Sequence, residues 1–194
     1  MLTFFPPSEE LLPALEDYLD ECRRAGDSLD GTAGMGNFAS LRSWLERIRL
    51  LASPDAERRG WFRTEVFLAA RMPEVCSLTA KAQASGVFRP RIVGTGNVRF
   101  THDERAERLS GHIGYHVRPS ERKKGFGSSI LAHAAARCAE EGLLRPAVCV
   151  EADNLPSLRT ALCCGFVPED RIVLPTGEDA VLLRLPSGED RTDV

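Results

Sequence analysis

The stretch VRPSERKKGFGSS, Val117–Ser129, sets Arg122, Lys123 and Lys124 directly before Gly125 and Gly127, where a helical pattern begins. Glycines at a helix start free backbone N–H groups and let them converge on an anion, often a phosphate. The helix follows from Ser128 to about Glu141. Ile130, Leu131, Ala134, Ala135 and Cys138 form its inward stripe, and Gly142 supplies a C-terminal stop. Before the loop, GHIGYHV (Gly111–Val117) reads as a strand halted by Pro119; after the helix, PAVCVEA (Pro146–Ala152) reads as another. Strand, helix and strand make a βαβ unit, whose two strands are expected to run parallel.

Working outward, Ser8 to about Ala25 predicts an amphipathic helix through Leu11, Leu12, Leu15, Tyr18 and Leu19. DSLDGTAGMGN is a glycine-rich loop. A second helix starts near Phe38, carries Leu41, Trp44, Leu45, Ile48 and Leu51 inward, and ends at Ser53-Pro54. After the polar DAERRG, TEVFLAA (Thr64–Ala70) and RIVGTGNVRF (Arg91–Phe100) read as strands. Residues 72–90 between them have no clean period and read as a long connection, and THDERAERLS as a charged loop. Asn154 or Asp153 caps a short helix through Cys164. GFV and AVLLRL then suggest a final antiparallel pair. Neither a repeat nor a dividing linker is visible, so residues 1–194 are expected to form one mixed α/β domain.

Bulk properties narrow the function. A net charge of −3 argues against general nucleic-acid binding. MLTFFPPSEELL lacks a basic start and is broken by Pro6 and Pro7, so no signal peptide is read, and no apolar run approaches a membrane span. A soluble cytoplasmic protein is expected. None of the six cysteines falls in a C-x-x-C pair, so no metal is expected and the thiols read as reduced. RKKGFGSS is not a G-x-x-x-x-G-K-[ST] phosphate loop, and Gly94-x-Gly96 lacks the third glycine of a dinucleotide fingerprint.

GHIGYHVRPSERKKGFGSSIL followed by CVEADNLPSLRTALCCGF resembles the GNAT superfamily of acetyl-CoA-dependent N-acyltransferases. The wording G-H-I-G-Y-x-V-R-P-S-E-R-x-K-G looks like one bacterial subgroup of predicted acetyltransferases, and the likeness covers most of the chain. It implies a central, mostly antiparallel sheet with one parallel βαβ pair, flanked by helices. It also implies acetyl-CoA as co-substrate, an amine acceptor and direct transfer in a ternary complex, and it leaves room for a homodimer. Amides of Arg122 through Ser128, including Phe126, would cradle the pyrophosphate. Lys123 and Lys124 add charge or form a solvated basic turn. Backbone groups of Tyr115, His116 and Val117 would face the pantetheine arm, one N–H polarising the thioester carbonyl. Asn154 matches a pantetheine-binding asparagine; the bland alternative is a helix N-cap.

The resemblance breaks at Ala161, where many members place a tyrosine that protonates the departing thiolate. Water or Ser157 would then deliver the proton, to a thiolate of pKa about 8.5. Two residues are candidate bases. His112 opens the strand where some members carry a glutamate, and shares a face with Gly114 and His116; its alternative is a structural histidine. Glu151 stands at the cofactor-side end of the next strand. An α-amino group is easier to deprotonate than lysine by roughly 2.5 units, or about 3.4 kcal/mol. A competing expectation is a non-catalytic acyl-CoA-binding domain with a regulatory or interaction role.

Overall fold

The computed structural model describes residues 2–71 and 90–187, which form two antiparallel sheets flanked by helices. Strands β1 (Leu2–Phe5), β2 (Arg63–Arg71), β3 (Arg91–Phe100) and β4 (Ile113–Val117) pair in that order. The second sheet runs β5 (Ala147–Glu151), β7 (Asp179–Arg184), β6 (Val167–Val173). The helices are α1 (Leu12–Arg24), α2 (Leu41–Ala52), the single turn α3 (Asp55–Arg58), α4 (Glu104–Ser110), α5 (Phe126–Glu140) and α6 (Leu155–Cys163). The connection expected over 72–90 lies, but for Pro90, outside the described residues. Among the described residues no helix is long and apolar enough to cross a membrane.

The first sheet separates two cores, which is why β2 is apolar on both faces. Val66 and Leu68 join Leu15, Tyr18, Trp44 and Leu45 beneath α1 and α2. Phe67 and Ala69 point the other way, into a core of Ile130, Leu131, Ala134 and Cys138 from α5. Each large side chain so buried contributes about 1.5–3 kcal/mol. Helix α2 is started by Ser40, whose Oγ accepts the Ser43 N–H at 3.2 Å while Ser43 answers to Ser40 N–H.

Two elements depart from the sequence reading. THDERAERLS is a helix rather than a loop: Asp103 Oδ1 accepts Ala106 N–H at 2.7 Å and Gly111, at φ +61°, ends α4. None of its residues is buried, so no apolar stripe announced it. LTFF forms β1, antiparallel to β2, in a segment to which the sequence reading assigned no strand.

The β4–α5–β5 unit is present, but its strands do not pair along their length as a parallel ladder would; they border different sheets. They meet at one end. His112 N–H donates to Ala147 C=O at 2.7 Å, and Ala147 N–H donates to His112 Nδ1 at 3.0 Å. Gly111 allows this approach, because a Cβ there would lie 2.8 Å from the Ala147 carbonyl oxygen. Beyond this junction β4 and β5 form the walls of a cleft.

The far end of β4 is anchored by a charge. Arg118, 2% exposed, donates to Glu21 at 2.6 Å and to Asp17 at 2.8 Å, both on α1. Ser120 N–H also donates to Glu21 at 3.0 Å. Burial alone would raise the Glu21 carboxyl, but the Ser120 and Arg118 hydrogen bonds outweigh it and hold it near 2. Arg118→Met should therefore lower unfolding free energy by about 3 kcal/mol in urea titration, since breaking a buried pair strands its partner. In the native protein the Glu21 contribution is fully present above its ordinary value of 4.5 and should fade as pH falls toward 2.

Candidate active site

The turn from β4 into α5 has the backbone of an anion cradle. Lys123 (φ +61°) and Gly125 (φ +79°) are both left-handed, and the first helical bond of this turn is Ser129 N–H to Gly125 C=O, 3.2 Å. The N–H groups of Phe126, Gly127 and Ser128 therefore precede the helical ladder. A Cβ on Gly125 would meet nothing within 4 Å, so that glycine faces open space in the cleft wall. Arg122 N–H is turned back to Pro119 C=O at 3.3 Å, so the cradle begins one residue later than expected.

The basic side chains do not act alike. Lys124 folds onto the buried Glu121 at 2.9 Å and onto Ser120 C=O, leaving the cleft. Burial raises the Glu121 carboxyl, but bonds from Arg91 and Lys124 prevail and hold it below the usual range. Arg122 donates to Asp27 and to Val117 C=O. Lys123 is exposed and lines the cleft edge.

Asp27 also accepts His116 Nε2–H at 2.8 Å, and His116 Nδ1 accepts the Tyr18 hydroxyl. Burial lowers the His116 pKa, which keeps the ring neutral for this chain of bonds. The sequence reading missed Tyr18 and Asp27 because they meet His116 across 98 and 89 residues. Among the described residues Cys22, Asp27 and His116 also bring three possible metal-ligand atoms within 4.8 Å. Burial pushes the Cys22 thiol up to about 11, and Arg122 already holds Asp27, so this group does not favour a cation.

The register Thr95↔His116 with Arg118 N–H bonded to Val93 C=O places His116 backbone groups in the β3 ladder. Those of Tyr115 and Val117 alternate toward β5. Of the three expected strand positions, only these two offer N–H groups to the cleft, and His116 does not. Tyr115 also lines the cleft. Its hydroxyl is buried beside Ser157 and Thr160 of α6. Asn154 caps α6, its Oδ1 accepting Ser157 N–H at 3.2 Å, and lines the same cleft. Ala161 is buried among core side chains and lines no part of the cleft, so a tyrosine there would meet packed core.

The two base candidates separate cleanly. His112 is fully buried, its Nδ1 bonded to Ala147 N–H and its Nε2 3.3 Å from Thr101 C=O and 3.4 Å from Glu107. It lines neither of the two cavities described below, and its contacts are those of the structural histidine that the sequence left as the alternative. Glu151 is exposed in the cleft; burial, then Asp30, Asp153 and Glu178, raise its carboxyl. The cleft has a volume of about 680 Å³. A second cavity of about 330 Å³, under the 29–37 loop, opens beside it, and Asp30, Gly31, Gly114 and Cys149 line both.

His112→Gln should leave the acid limb of any pH–rate profile in place. It should cost about 2 kcal/mol of stability by stranding Ala147 N–H, read by thermal melting. Burial lowers the His112 pKa, so its contribution is present above the ordinary 6.5 and lost as pH falls below it.

This geometry has relatives. Residues 38–166, more than half of the chain, match the Acetyltransferase (GNAT) family. No curated protein matches the sequence. Among solved structures, the acetyl transferase of Salmonella typhimurium that modifies the N-terminal serine of ribosomal protein L7/L12 superposes with TM-score 0.61 at 15% identity, over 94% of this chain and 93% of that one. The ribosomal-protein-S5-alanine acetyltransferase of Vibrio fischeri gives 0.59 at 15%, over 97% and 93%. A putative acetyltransferase of Salmonella typhimurium, solved with its cofactor acetyl-CoA, gives 0.57 at 12%, over 95% and 92%. At these identities the structures report the fold. Taken with the family match, they identify the chain as a member of the GNAT acetyltransferase family, an acyltransferase.

Proposed function

We propose that the chain transfers the acetyl group of acetyl-CoA to a primary amine by direct attack in a ternary complex. The observation that carries this reading is the continuity of the two cavities along β4. One is walled by the Lys123–Ser128 turn and the free edge of Tyr115 and Val117; the other opens where the first meets Glu151 and Asp30. Amides before the first bond of α5 suit a pyrophosphate, and Asn154, Ser157 and Thr160 line the cleft on the side of α6, where a pantetheine-like arm would pass.

The chemistry follows from these positions. The amine lone pair attacks the thioester carbonyl carbon. As the C–N bond forms and the C–S bond breaks, the electron pair leaves on sulfur. Tyr115 N–H would stabilise the oxygen of the intermediate as a single donor. Water or Ser157, which lines the cleft, would return a proton to the thiolate. The proton released by the ammonium goes to Glu151, whose elevated carboxyl lies closer to neutrality than an ordinary one.

Gly125→Asp places bulk and negative charge in the open wall of the cradle. Calorimetry should show acetyl-CoA affinity reduced at least tenfold in a folded variant; unchanged affinity would place the cofactor elsewhere. Glu151→Gln should abolish the acid limb of kcat/KM, measured by thiol release, while leaving acetyl-CoA affinity within twofold. Retention of that limb would remove Glu151 as the base.

A further inference from the structure

The second cavity holds a cation without a counter-ion. Arg99 lines it, on the same face of β3 as Asn97. Its guanidinium donates Nε–H to Gly111 C=O at 3.1 Å, one Nη–H to Asn97 Oδ1 at 3.0 Å and another to Ser110 C=O. All three acceptors are neutral, and no carboxylate of the described residues pairs with it. Arg118, Arg137 and Arg184, which are also withdrawn from solvent, each hold two or more carboxylates. Burial lowers the Arg99 pKa, and burial also raises the nearby Cys149 thiol, so that thiol is neutral near pH 7 and supplies no balancing charge.

Charge of the opposite sign gathers where this cavity joins the cleft. Asp30 lines both spaces and acts electrostatically on Glu151. Cys149 and Glu151 lie on one face of β5, about 7 Å apart, so one small molecule can reach from the Arg99 side to the Glu151 side. A guanidinium has five donors; with three committed, two remain to meet a carboxylate.

We propose that the amine acceptor is a small amino acid-like molecule whose carboxylate is received by Arg99 while its ammonium lies toward Asp30 and Glu151. This rests on the acetyl-transfer reading and names the substrate class of the same site. The volume of the side cavity, about 330 Å³, is at the small end of small-molecule sites and suits a compact zwitterion.

The test compares β-alanine and 4-aminobutyrate with their methyl esters, by calorimetry on the CoA-loaded protein and by KM for thiol release. Each acid should bind about tenfold or more tightly than its ester, as a charge-assisted pair lost to an uncharged one requires. Arg99→Met should erase that preference without weakening ester binding, and Arg99→Lys should restore part of it. Equal affinity for acid and ester in the native protein, binding of neither, or a preference that survives in Arg99→Met would overturn the proposal. The native comparison needs no variant to fold. Failure of the transfer reading is separate: it would appear as no thiol release from any amine, whatever the calorimetric preference.

Discussion

The cleft depends on a contact that joins two sheets at a single point. His112 ties β4 to β5 through its backbone N–H and its ring nitrogen, both directed at Ala147. Gly111 makes room for the approach. Past this junction the strands border different sheets, and the edge that β4 would have offered to β5 is left unpaired. An unpaired edge normally invites another strand. Here it lies inside a cleft bordered by α5 and α6, where a chain-like ligand with its own amides could pair with it.

Around that edge, carboxylates hold the cationic residues of the turn. Arg118 is fixed by Glu21 and Asp17, Arg122 by Asp27, and Lys124 by Glu121. These pairs set the turn's shape more than its charge. Lys123 alone of the three residues in Arg122-Lys123-Lys124 has no ion pair among the described residues. An anion at this turn would then be held by oriented N–H groups, with modest help from net side-chain charge.

Much of this was legible in the sequence because it depends on local chemistry. Gly125 and Gly127 before a helical stripe announced the turn, and Asn154 announced the start of α6. Periodicity found β2, β3 and the two large N-terminal helices. Helix α4 escaped since it buries nothing and is held by its Asp103 cap and by ion pairs such as Arg108–Asp170 at 2.6 Å. The division into two sheets escaped too, because a βαβ pattern does not reveal whether its strands hydrogen-bond along their length. Functional side chains were hardest where partners are distant in sequence. His112 has the residue type and position of a base, and only its contacts with Ala147 and Thr101 show that it is buried in a junction. Arg99 looked like one more polar residue on a strand, since the missing counter-ion is a property of the fold.

The single junction also affects how the molecule comes apart. With no ladder between β4 and β5, backbone bonding alone does not oblige the four-stranded and three-stranded sheets to open together. Continuity between them comes from α5 and from side chains that reach across, among them Val93, Val148 and Phe166 in one core. A ligand laid along β4 and capped by α6 would span that seam and supply bonds to both sides. Its binding energy would then be expressed as unfolding cooperativity, with slow amide exchange spreading from the first sheet into the second. In that sense such a ligand would serve as the strand the fold leaves out.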